Sequence, residues 1–486
     1  MTAVRSGNRS LVVVLPLGVV LAAWGAFSPA TLFGALAIAV ALLAVILFVF
    51  LLRRRSGALA ILALVFAALD RPLAGLSTAV GAHAISGLFA ALDDILLLSL
   101  VPLIFVRSGT DARAVPRAAW FGFGLFAAFG VSGILFVHGN PPAAVMGTWL
   151  ALKLPVSLLV ASKLRWTPKT TSGLLWTLGT IFVINAVVSG IELVDPSAVR
   201  SIFGGTDGNT GRLGLSSLQG IFSHPVQAAT FLLLTAAVFI GAPLLGRRLR
   251  VIGYLAGGMA VLGLRAKTIV DVFLVLVLRL STSSGRAVKM FTPLLVVIVA
   301  AAMFGASADL VVSRFSDVVE SDTSARGALL ETSLRIASDS LPFGAGFGSF
   351  GSEASRVNYS PVWEQYGLSG TYGFRDGAAV FATDASWATV IGEAGFIGAA
   401  GMIIALLAIW ITQFRRARAL GDASWALAAT MFAAVMIFDS LASPRLFDGT
   451  AAIGLGILLS LSAGEQDRTR AGTTVDTTAD AGGIAR

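Results

Sequence analysis

Residues 261–278, VLGLRAKTIVDVFLVLVL, place an arginine, a lysine and an aspartate between and within two apolar arms. Charged groups in apolar helices are expensive, and they persist where they pair with one another or line a wet cavity. A guanidinium fork bonds phosphate oxygens two at a time, and an ammonium adds a point charge. Arg265 and Lys267, together with Arg212 at the start of RLGLSSLQGIFSHP, therefore have the chemistry to grip a pyrophosphate. A second reading has Arg265 and Lys267 snorkelling to lipid phosphates, with Lys267 paired to Asp271 one helical turn on. His224, directly before Pro225, stands where a helix should start, and both a capping role and a catalytic one are open to it.

Other polar residues lie deeper in apolar runs. Asp93, Asp94 and Lys153 can form a mutually satisfied cluster or mark a proton or ion path. His138, in VHGNPP, has no second ligand near it in sequence, which argues against a metal site. The glycines of GAGFGSF resemble a phosphate-cradling loop only superficially. No strand precedes them and they follow a proline-ended helix, so a sharp turn against the membrane is the expected role.

The elements that position these groups follow from composition. The 486 residues are 56% hydrophobic and 13% charged, which identifies a polytopic membrane protein. A bilayer core about 30 Å thick takes roughly 20 apolar residues per helix, and no strand-like alternation suggests a barrel. Apolar runs predict an all-α protein with about fourteen transmembrane helices near 11–28, 32–52, 57–69, 88–106, 118–137, 143–162, 173–191, 225–245, 251–264, 268–280, 291–306, 387–413, 424–442 and 449–463. Arg5 and Arg9 ahead of the first run imitate a secretory signal, but the second run follows at once, so an uncleaved span is expected.

With this count both termini share one side, and that side carries 23 of the 35 basic residues. The triplets Arg53–Arg55, Lys163/Arg165/Lys169 and Arg415/Arg416/Arg418 are typical of it. The positive-inside rule makes it cytoplasmic. The net charge of +9 is thus topological and gives no reason to expect nucleic-acid binding. The absence of cysteine excludes disulfides and thiolate metal sites.

Two extracytoplasmic segments are long enough to carry a site, 192–224 and 307–386. The second, inserted between the eleventh and twelfth predicted helices, is too long to be structureless in a compact protein. Within it SARGALLETSLRIASDS has helical spacing, carries Arg326 and Arg335, and is ended by Pro342 and the glycines that follow. Residues 1–463 read as a single transmembrane domain. The tail, 464–486, has too few apolar residues to fold and is expected to be disordered.

The order of these motifs, GRLGLSSLQGIFSHPVQAATFL, LGLRAKTIVDVFLVL, SRFSD, SARGALLETSLRIASDSLPFGAGFGSF and DASWATVIGEAGFIGAAGM, resembles the O-antigen ligase and O-antigen polymerase superfamily of bacterial envelope glycosyltransferases. The likeness covers roughly 209–398. It implies a helical fold with a large outer loop in the bacterial inner membrane, a polyprenyl-pyrophosphate-linked glycan as donor and a glycan or lipid as acceptor. It also implies no cofactor, nucleotide sugar or metal at the reaction. By position Arg212, Arg265 and Lys267 resemble the phosphate-binding basic residues, and Arg326 falls at the loop arginine. Where ligases of the family carry a histidine, this chain has Asp384. A carboxylate there could take a proton from an acceptor hydroxyl, or could cap the following helix. Glu393 is the other candidate base, or a structural partner for a helix polar group.

Two functional classes follow: a glycosyltransferase that polymerises or ligates lipid-linked glycan, and a transporter or flippase. Transporters usually place their site near the midplane between repeated halves. The charged candidates here cluster at the outer face and no repeat is evident, which favours the enzyme.

Overall fold

A computed structural model of the protein describes residues 55–77, 83–105, 114–137, 141–203, 217–282 and 325–481, apart from 244, 247, 264, 372, 378–380, 384 and 422. Arg212, His138 and Asp384, and the predicted spans 11–28, 32–52 and 291–306, lie outside the described residues. Gly57–Arg486 form one compact unit.

The described residues are helical, without strands. The helices are α1 (Arg55–Ser77), α2 (His83–Leu100), α3 (Arg117–Phe136), α4 (Pro141–Ala161) and α5 (Pro168–Val194). Then come α6 (Pro196–Phe203), α7 (Pro225–Gly241), α8 (Arg250–Val261), α9 (Ala266–Ser281) and α10 (Ala325–Asp339). The last are α11 (Glu353–Val357), α12 (Val362–Gln365), α13 (Ser386–Leu420), α14 (Trp425–Asp439) and α15 (Gly449–Ala481). Five of them, α1, α3, α4, α5 and α13, are long and apolar enough to cross a membrane, and α7, α8 and α14 are shorter apolar helices. Helices suit a bilayer because each backbone bond is satisfied within the segment. The apolar surface agrees with a lipid environment: Trp176 and Val145 are each 75% exposed and Leu135 73%.

Several bounds differ from the apolar runs. α1 is 23 residues long where thirteen apolar residues are evident, because helix continues into the polar flanks at both ends. α15 likewise extends through the segment from Gly464 in which the sequence predicts disorder, and its backbone is helical to Ala481.

The centre of the bundle is made by α7 and α14, which are buried almost all round. Helices that are apolar on every side belong inside. Their contact is tight: a Cβ on Gly241 would come 2.7 Å from the Ala428 nitrogen. α3 packs along α13 through Gly122 and Gly401, where a Cβ on Gly122 would lie 2.3 Å from the Gly401 carbonyl. Small residues allow this approach, and in lipid such dispersion contact drives helix association.

One membrane helix is broken. At Gly395 of α13 the backbone turns to φ 67°, ψ −176°, and the carbonyls of Gly392 and Glu393 just before this break take partners from outside the helix. The loop after α10 supplies them: the Ala345 amide donates to Gly392 at 2.8 Å and the Gly346 amide to Glu393 at 2.9 Å. The loop also reaches α3, where Phe347 N–H bonds the Gly130 carbonyl at 3.2 Å. The described residues from 325 to 385 have a core of their own, built on Leu329, Ile336, Phe350, Trp363 and Phe374.

Candidate functional site

The segment leading to His224 is held from two sides. On α5, Glu192 is fully buried and its Oε2 accepts from the Gln219 and Gly220 amides at 2.9 and 2.8 Å, while Asn185 Oδ1 accepts from Ile221 at 3.0 Å. On the other side the Leu218 amide donates to the Leu262 carbonyl at 3.4 Å, and the Ser217 hydroxyl bonds the Gly263 carbonyl. The segment is thereby fixed to the turn that begins α9 at Arg265.

His224 is the N-cap of α7, and its Nδ1 accepts the Val226 amide at 3.2 Å. That bond puts the ring proton on Nε2, which becomes a neutral donor. Burial first, and then the charges of Arg265, Arg71 and Lys267, push its pKa down to about 4. His224, Arg265 and Lys267 are thus brought into one electrostatic neighbourhood, while Arg326 lies exposed in the first turn of α10.

Lys267 departs from its expected partner. Asp271 is one turn away and only 2% exposed, yet the ion pair forms with Asp439 Oδ1 at 3.0 Å, and Lys267 also donates to the Ala442 carbonyl at 3.3 Å. Asp439, at the end of α14, simultaneously accepts Arg445 Nε at 2.5 Å and pairs with its Nη2. Arg445 is 2% exposed and lies 3.9 Å from Asp448 and 3.5 Å from the Val226 carbonyl. Asp439 fixes the buried Arg445, because breaking that contact strands a charge, whereas the Lys267 side chain is 20% exposed and can reach a second anion. Asp439 and Arg445 escaped the sequence reading. Their only signal is that FDSLASPRLFDG interrupts two apolar runs with charge.

The turn between α14 and α15 is fastened to the start of α13. Ser386 Oγ donates to the Ser443 carbonyl at 2.7 Å and accepts the Leu446 amide at 3.2 Å, and Trp387 Nε1 donates to Ser440 Oγ at 2.9 Å. The N-cap of α13 is Ala385, with no side-chain cap bond. The chain two residues beyond Asp384 is therefore anchored beside the Asp439–Arg445 pair.

Glu393 is satisfied structurally. It is 1% exposed, and its Oε1 accepts from the Gly348 and Phe350 amides at 2.9 and 3.1 Å and from Ser352 Oγ at 2.7 Å. Three donors on one oxygen occupy the group that a base would use on an acceptor hydroxyl, so of its two expected roles the structural one fits. The glycines of GAGFGSF do turn sharply, with positive φ at Gly344, Gly346 and Gly348. They wedge against α3 and α4: a Cβ on Gly348 would lie 2.0 Å from the Ala143 carbonyl.

The intramembrane cluster forms as a triad. Lys153 Nζ lies 3.1 Å from Asp93 and 2.5 Å from Asp94. Gly449, first in α15, packs on it so closely that a Cβ would come 2.6 Å from Asp93 Oδ2. Compared with models of known protein families and with curated proteins, the chain matches none.

Proposed function

We propose that the protein is an integral-membrane glycosyltransferase that polymerises or ligates a polyprenyl-pyrophosphate-linked glycan on the extracytoplasmic face of a bacterial inner membrane. The proposal includes fourteen spans with both termini cytoplasmic. The observation that carries it is the convergence of neutral His224 with Arg265 and Lys267 at the starts of α7 and α9.

In this reading Arg265 and Lys267 hold the pyrophosphate, with Arg212 and Arg326 contributing from the outer segments. Neutral His224 offers an Nε2–H donor beside them without adding a charge. Asp384 takes the proton of the acceptor hydroxyl, whose oxygen attacks the anomeric carbon. The bond from that carbon to phosphate breaks, the pyrophosphate leaves with the electron pair, and configuration inverts. The cations take up the negative charge that develops on the leaving group, the usual largest contribution in such sites. Lys267 can serve because Arg445 continues to neutralise Asp439 when Lys267 turns to a phosphate.

The test is turnover in proteoliposomes that contain lipid-linked oligosaccharide. Wild type should lengthen or transfer the glycan. Arg265→Ala should be about 10- to 100-fold slower at equal protein, as expected for losing a charged hydrogen bond worth roughly 1.5–3 kcal/mol. Equal rates would reject the site. A second reading, transport of a lipid-linked or small anionic substrate, draws on the Lys153–Asp93–Asp94 triad and the broken α13, since discontinuous helices often mark transporter sites. Movement of labelled donor across the bilayer without glycan transfer would favour it.

A further inference from the structure

The last turns of α1 carry Asp70 and Arg71, and their place is set by Gln227 in the first turn of α7. The Gln227 carboxamide nitrogen donates to Asp70 Oδ1 at 2.9 Å and to the Ala68 carbonyl at 3.3 Å, while its oxygen accepts from the Ser223 hydroxyl at 3.4 Å. From α15, Thr450 Oγ1 donates to the Ala67 carbonyl at 2.9 Å. This part of α1 is thereby held one helical turn from His224, whose carbonyl accepts the Gln227 amide at 3.0 Å.

Asp70 is occupied in this arrangement, because the oxygen that takes Gln227 also accepts the Arg71 amide at 2.6 Å. The Arg71 guanidinium is not occupied. It is exposed, and among the described residues no hydrogen bond or ion pair engages it. Its charge nevertheless reaches the imidazole: after burial, Arg265, Arg71 and Lys267, in that order, push the His224 pKa down. Cations from two helices, α1 and α9, thus stand around a neutral histidine at the start of a third. Like charges gathered this way repel one another, and they raise the local concentration of an anion that fits among them. A guanidinium fork takes two phosphate oxygens at once, and an anion with two phosphoryl groups can engage both helices together.

We infer that Arg71 is a further substrate-binding residue, whose guanidinium takes one phosphoryl group of a diphosphate while Arg265 and Lys267 hold the other. Gln227 is a positioning residue, since it fastens the segment that carries Arg71 to the start of α7. The inference deepens the glycosyltransferase reading and rests on it only for the source of the diphosphate, the end of a lipid-linked donor. Free diphosphate presents the same oxygens.

The experiment is calorimetric titration of inorganic pyrophosphate into the full-length protein in phosphatidylcholine nanodiscs, beside turnover with lipid-linked oligosaccharide. Arg71→Ala should bind about tenfold more weakly than wild type, the size of one charge-assisted contact, and should raise the KM for the donor with the melting temperature unchanged. Arg71→Lys, which keeps the charge and loses the fork, should fall between the two. Gln227→Leu should weaken binding with Arg71 intact. Arg375→Ala, which removes an exposed charge from the chain between α12 and α13, should bind as wild type does. No binding by wild type, equal binding by wild type and Arg71→Ala, or an equal loss in Arg375→Ala would each overturn the inference; the second of these would leave Arg71 to the phosphates of the surrounding lipid. Binding that depends on Arg71 in a protein that makes no glycan would retain the residue as a site for free diphosphate and remove the enzymatic reading. Turnover that is indifferent to Arg71→Ala would do the reverse.

Discussion

The Glu393 carboxylate of α13 holds the Gly348 amide at 2.9 Å across 45 residues of chain, and with Phe350 and Ser352 it latches the loop after α10 into a broken apolar helix. A buried carboxylate with three donors is stable only while the donors remain. Glu393→Ala should leave those amides and the hydroxyl unsatisfied, at about 1–3 kcal/mol each, and should lower the yield of folded protein. Glu393→Gln keeps an acceptor and should melt between the two. Melting in detergent, with proteolysis of the 343–352 loop, checks this. A fully stable but inactive Glu393→Gln protein would return the residue to catalysis.

The glycines of the same loop separate strain from collision. Gly348 has φ +83° and no room for a Cβ, whereas Gly377 has φ +70° and nothing within 4 Å of one. Gly377→Ala should cost only the left-handed backbone penalty of about 1–2 kcal/mol. Gly348→Ala must also displace the α4 backbone, and should abolish accumulation in the membrane. Equal melting temperatures for the two variants would contradict the wedge.

His224 gives the protein a defined pH response. Its folded pKa of about 4 lies below the ordinary value of 6.5. Above pH 6.5 the imidazole is neutral in both folded and unfolded chains and contributes nothing. As pH falls from 6.5 to 4 the unfolded chain takes up the proton first, so stability should drop across that window and level off below it. His224→Asn, which can still cap α7 and does not titrate there, should flatten that part of the melting curve against pH.

The Lys153 triad allows a test of structure against transport. Lys153→Met leaves buried Asp93 and partly exposed Asp94 without their cation, and should destabilise by about 3–5 kcal/mol. The triple change Lys153→Met, Asp93→Asn, Asp94→Asn removes the charges together and should recover most of the melting temperature. Glycan formation should recover with it. A stable triple variant that has lost all function would assign the triad to an ion path.

The lack of cysteine makes topology directly measurable. If the positive-inside expectation holds, a cysteine at exposed Glu364, in α12, should react with an impermeant thiol reagent on intact cells. One at exposed Arg418, near the end of α13, should react only after permeabilisation. The opposite pattern would invert the positive-inside assignment.

Much of this protein is written in local sequence. Long apolar runs impose membrane helices because the bilayer offers backbone groups no other partner. The spacing of SARGALLETSLRIASDS specifies α10 to within a residue or two, since its proline and glycine stop is local, and His224 before Pro225 marks the start of α7 for the same reason. The glycines of GAGFGSF announce a turn because only glycine enters positive φ freely. Tertiary structure alone decided the partners. Asp271 is the nearest acid to Lys267 in sequence, but the choice among buried charges depends on which helices meet, and α14 delivers Asp439 while the following turn delivers an acceptor carbonyl 175 residues away. Glu393 could be read as a base or as a brace until the Gly395 break opened α13 and the loop closed over it. The tertiary fold made that decision because a buried carboxylate's role is set by the donors around it, and those donors come from a segment some forty residues away.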